Sequence, residues 1–128
     1  DGRSILPLLE GKDMEDKAYY AYYNRNELQA VIYGHWKLVF PHKYISIPEG
    51  TEMRNDGIPV KYHMLDLEKA ELFDLSQDPN ETTDISASNP EILAKLNQFA
   101  DEARADLGDT LTESEGSGLR KVGRVEQN

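Results

Sequence analysis

Few of the 128 residues could carry chemistry unaided. There is no cysteine, so thiolate nucleophiles, thiolate metal sites and disulfides are excluded for this chain. No serine stands in a Gly-x-Ser-x-Gly elbow. Three histidines remain, His35, His42 and His63, and no two of them share the spacing that puts a pair of metal ligands on one helix face. A surface or hairpin position is the plainer reading of each. Asp78, Asn80, Glu81 and Asp84 gather four oxygen-bearing side chains, without the glycine and the final bidentate Glu of a calcium loop. A solvated turn stabilised by the Asp78 side chain is the plainer reading. Asn80-Glu81-Thr82 is a glycan acceptor sequon, which acts only in a eukaryotic secretory setting. Arg120, Lys121 and Arg124 could hold an anion, or be solvated charges near a terminus. Tyr19, Tyr20, Tyr22, Tyr23 and Tyr33 could stack a sugar, or pack half-buried on a sheet. No catalytic residue and no metal ligand can be named from this inventory.

The bulk properties narrow the partners. A formal net charge of −10 repels phosphates and anionic lipid, so neither nucleic acid nor membrane is an expected partner. No apolar run approaches membrane-spanning length. With 38% hydrophobic and 30% charged residues, the chain can bury one modest core.

The elements that must position these side chains follow from pattern. Ser4 to Gly11 reads as one short helical turn, with Ser4 as cap, Pro7 in the first turn and Gly11 as stop. Its Ile5, Leu6, Leu8 and Leu9 need a surface to cover. Lys17 to Tyr23 (KAYYAYY), Leu28 to Tyr33 (LQAVIY), Trp36 to Phe40 (WKLVF) and Ala70 to Leu75 (AELFDL) read as strands. Gly34-His35 makes a tight hairpin of the second and third. Alternation puts Leu28, Ala30 and Ile32 on one face, and Trp36, Leu38 and Phe40 together with Lys37 pointing away. Residues 41–66 are expected to be irregular, punctuated by Pro41, Pro48, Gly50, Gly57 and Pro59. A loop that long is often functional.

Asn89-Pro90-Glu91 opens a helix, capped by Ser88 with Glu91 or by Asn89. Ile92, Leu96, Phe99, Ala103 and Leu107 recur on one face, and Gly108 ends it. Trp36, Leu72, Phe73, Leu96 and Phe99 are expected to join sheet to helix. The whole is an α+β fold: a four-stranded antiparallel sheet with one long C-terminal helix packed on one face. Residues 1–12 are expected to belong to a preceding domain, 13–108 to the folded unit, and 109–128 to an extended tail, ordered only if it docks.

Four motifs, in order, resemble the end of an arylsulfatase-type, formylglycine-dependent sulfatase of the alkaline phosphatase-like superfamily. Asp1 to Leu9 resembles the DG-x-S-LPLL segment that closes the catalytic domain. Leu28 to Leu38 resembles the AVR-x-G-x-WKL hairpin, with Ile32 where the family often has Arg. Glu71 to Thr82 resembles ELYDL-xx-DP-x-ET. Leu107-Gly108-Asp109, Gly118, Arg120 and Gly123-Arg124 resemble the LGD…G-x-R-x-x-GR ending.

The resemblance implies a parent enzyme that hydrolyses sulfate esters, with a sulfated glycan as substrate. Formylglycine, made within a C/S-x-P-x-R motif, and calcium would both belong to its N-terminal domain. That motif is absent here, so this chain is expected to hold no cofactor and to be inactive alone. Its expected partner is that N-terminal catalytic domain, and the compartment is periplasmic or secreted; isolated, the chain is expected either to self-associate through the Ile5–Leu9 surface or to leave that segment mobile. His42, Arg120 and Arg124 are the expected substrate-binding residues. Two other readings stay open: a non-catalytic carbohydrate- or partner-binding module, and the C-terminal domain of a related phosphoesterase.

Overall fold

A computed structural model describes residues 4–52, 55–120 and 123. A short helix, α1 (Leu6–Leu9), precedes three strands, β1 (Tyr19–Tyr23), β2 (Glu27–Tyr33) and β3 (Trp36–Val39). Two further strands follow, β4 (His42–Ser46) and β5 (His63–Leu67), then β6 (Glu71–Asp74), a 3-10 turn (Ser86–Ser88) and the long helix α2 (Pro90–Leu107). β1, β2, β3 and β6 form one antiparallel sheet in that order, with α2 laid across it. The α+β arrangement inferred from the pattern is therefore the observed one.

One face of the sheet meets α2. Leu28 and Val31 of β2, Leu38 of β3, Phe40 just after β3, and Leu72 of β6 close against Leu96, Ala100 and Ala103 of the helix. Leu96 and the two alanines sit at helical spacing, and the small alanines let the helix approach the strands. Two cations finish the seam, Lys95 over the Tyr33 ring at 4.2 Å and Arg104 over the Phe40 ring at 4.6 Å. Asn89 stands before the first turn of α2, but neither it nor Ser88 caps the helix through its side chain. The Asn89 amide donates backward to the Ile85 carbonyl instead.

Several expectations fail for identifiable reasons. Residues 41–66 are not simply irregular, because β4 and β5 pair in register from His42↔Leu67 to Ser46↔His63. This ribbon grows out of the connection between neighbours β3 and β6. Its strands, HKYIS and HMLDL, carry apolar residues on both faces, so no alternation announces them.

The faces of β2 also differ from simple alternation. Ala21 pairs with Ala30 and Tyr22 with Leu28, which leaves Gln29 as an extra residue. That bulge reverses the parity, so Leu28 joins the helix side while Ala30 and Ile32 look the other way. Phe73 is buried, yet it faces away from the helix. Trp36 and Phe99 are only partly buried at the edge of the core.

The chain past α2 folds back rather than running extended. Asp109 bridges Ser114, and the Ser117 and Gly118 amides donate to the Ala105 and Asp106 carbonyls. Gly108 and Gly116 make this return possible. Gly108 takes φ +75°, and a Cβ there would lie 2.8 Å from the Ser114 carbonyl oxygen. A Cβ on Gly116 would overlap the Leu107 carbonyl carbon. Among the described residues no helix is long and apolar enough to cross a membrane.

Candidate functional site

On the sheet face opposite α2, residues of the sheet and of the β4–β5 ribbon together line a cleft of about 410 Å³. Ala21, Ala30, Ile32, Val39 and Phe73 floor it from the sheet. His42, Tyr44 and Leu67 wall it from the ribbon. These three share one ribbon face because His42 pairs with Leu67 and Tyr44 lies two residues on.

His42 is fixed within the cleft. Its Nδ1 lies 2.7 Å from the Phe40 carbonyl oxygen, an atom that can only accept. Nδ1 therefore carries the proton, and Nε2 is the ring nitrogen left to meet a ligand. The imidazole also packs beside Tyr44, with ring centroids 6.0 Å apart. Lys37, the residue that points away from the core, enters the same cleft. Its ammonium donates to both carboxylate oxygens of Glu81 at 2.6 Å. Glu81 reaches it from a left-handed backbone position, φ +56°. Glu71 adds a second carboxylate to the lining.

Arg120 does not join His42. It lines a separate cavity on the helix side, with Lys17, Tyr20, Asp106 and Gly118. Arg124 lies outside the described residues, so the anion cluster expected of the tail is not on view. The tyrosines divide as well: Tyr20, Tyr22 and Tyr33 pack on the core, while Tyr19 and Tyr23 are exposed. They form no single platform. Burial, reinforced by Asp109, holds the Tyr22 hydroxyl above its usual value of 10.0. It stays protonated and donates to the Gly108 carbonyl at 3.0 Å.

The acidic turn is occupied by its own backbone. Partial burial pulls the Asp78 carboxyl upward, but hydrogen bonds from the Thr83 and Thr82 amides outweigh it and hold the group below 3.8. Those amides donate at 2.9 and 2.7 Å. Asp84 accepts from Leu72 at 3.0 Å and from Ser86 at 2.9 Å. With Glu81 bound to Lys37, the carboxylates of this turn are engaged by donors of the chain itself. Among the described residues no group of three or more acidic or histidine side chains is placed to hold a metal.

The residue that sequence reasoning undervalued most is Asp109. Its side chain is fully buried and accepts from the Leu28 amide at 3.1 Å, the Leu111 amide at 3.0 Å and Arg104 Nε at 3.0 Å. It thereby ties the start of β2 to the end of α2. The signal was its place after a helix-ending glycine, which marks a return of the chain. Lys37 and Glu81 were visible only as members of two separate motifs, and their pairing needed the fold.

Comparison with known proteins adds two findings. The family described as the C-terminal region of aryl-sulfatase matches residues 15–118. An N-acetylgalactosamine-6-O-sulfatase of Bacteroides thetaiotaomicron is 28% identical over 106 residues, covering 81% of this chain and 19% of that protein. The chain thus spans about a fifth of the length of this relative.

Proposed function

The chain belongs to the family of aryl-sulfatase C-terminal regions, and from that premise we propose that it acts as the non-catalytic part of an enzyme that hydrolyses sulfate esters of a glycan. The match over residues 15–118 carries the reading. The named activity of the Bacteroides relative supports an amino-sugar sulfate as the ester. The formylglycine and calcium belong in this reading to a catalytic domain on the N-terminal side, and the whole enzyme to the periplasm or the exterior.

Two surfaces of this chain serve that partnership. Ile5, Leu6, Leu8 and Leu9 are all more than half exposed, with Leu9 at 74%, on a helix too short to make its own core. They dock on the catalytic domain, and in its absence they drive self-association. The His42 cleft faces the substrate mouth and positions the glycan through Nε2. Arg120, in its separate cavity, contacts substrate only through a different part of the ligand, and Arg124 is assigned with it.

Sulfate release from an aryl sulfate, with calcium present, tests the reading. The 128-residue chain alone releases none, while the full-length protein carrying it does. Activity that follows the isolated chain through repurification would overturn the assignment.

A further inference from the structure

The His42 cleft has a charge balance that bears on what it admits. Among the described residues, Lys37 is the only Lys or Arg in its lining, and both oxygens of Glu81 already hold the ammonium at 2.6 Å. Glu71 brings another carboxylate, which takes part in none of the ion pairs among the described residues. A ligand therefore meets one neutralised cation and one uncompensated carboxylate. Apart from His42 and the Gln29 amide, the rest of the lining is apolar or aromatic, chiefly Ile32, Val39, Tyr44, Leu67 and Phe73.

This lining suits a ring with an apolar C–H face and hydroxyl donors around its edge. Carboxylates accept from hydroxyls, and aromatic and aliphatic side chains cover C–H surface. It does not suit an anion, which would shed water beside Glu71 with no free cation to replace it. We propose that the cleft takes a neutral sugar unit of the glycan, adjacent to the unit whose ester is cleaved, and disfavours a sulfated or carboxylated unit there. This inference rests on the proposed function, and it adds the charge of the neighbouring sugar as a determinant of substrate choice.

The test is an amide-resolved NMR titration of the full chain with galactose and with galactose 6-sulfate. Galactose is expected to shift the signals of Val39, His42 and Phe73, and the sulfated sugar to bind there at least about threefold more weakly, from like-charge repulsion at close range. Glu71→Gln should narrow that ratio without changing Tm. Equal or tighter cleft binding of the sulfated sugar, a ratio unmoved by Glu71→Gln, or no shift at these residues with either sugar would overturn it. Should the cleft stay empty while the full-length enzyme still releases sulfate, only this inference falls. An enzyme that releases no sulfate from any ester overturns the proposed function instead.

Discussion

The sheet that carries α2 and the β4–β5 ribbon are both antiparallel and both well paired, but they bury very different surfaces. In the first, Leu28, Leu38 and Leu72 are completely removed from solvent. In the second, Ile45 and Met64 face each other across the ribbon and remain 61% and 62% exposed. Backbone pairing with a few exposed side-chain contacts, such as Lys43 with Asp66, holds the ribbon's shape, whereas apolar burial holds the sheet and helix together. In the proposed function, stability and recognition fall to different parts of the chain. Substitutions in the two parts should have different consequences.

The largest effect is expected at Asp109. Asp109→Ala removes the acceptor for two amides and for Arg104 Nε, leaving Arg104 only the exposed carboxylate of Asp101, at a cost of about 3–5 kcal/mol. Urea melts read it, and a loss below about 1 kcal/mol would mean that the return of the tail does not brace the sheet–helix half. Phe99→Ala should cost less, about 2 kcal/mol, roughly half the loss for a fully buried ring. Its ring is only partly buried, tilted against Tyr33 at 5.1 Å. A cost equal to that of Asp109→Ala would place Phe99 in the centre of the core rather than at its edge. The smallest effect belongs to the ribbon. Ile45→Ser or Met64→Ser should shift the stability of the chain alone by no more than about 0.5 kcal/mol. A larger loss in the same melts would erase the distinction between the two regions.

The same distinction explains what the sequence disclosed. α2 and the four sheet strands were legible because burial on one face imposes a period, 3.6 for Ile92, Leu96 and Ala103, and about 2 for Trp36 and Leu38. Parity failed at Gln29, where one extra residue sends Leu28 to the helix side against Ala30 and Ile32. The ribbon was missed because neither of its faces is uniformly buried, so selection for pattern has nothing to act on. His42 was singled out from the resemblance and does line the cleft. Its companions Lys37, Glu71, Glu81 and Phe73 come from segments more than thirty residues apart on either side of the ribbon, and only the β3–β6 pairing joins them. Arg120 looked like a companion of His42 by its place in a motif, and the fold sends it to the helix side.

The central claim is that this chain shapes a substrate site without doing the chemistry, and His42→Ala in the full-length enzyme addresses it most directly. The imidazole hydrogen-bonds only the Phe40 carbonyl and packs on the ribbon, so its removal should leave Tm unchanged. With the glycan substrate, KM should rise by about tenfold, the loss of one hydrogen bond to ligand, with kcat nearly constant. A small aryl sulfate, which does not extend into the cleft, should be turned over as before. Kinetics identical to the unaltered enzyme on the glycan would contradict the account and make His42 an ordinary ribbon residue.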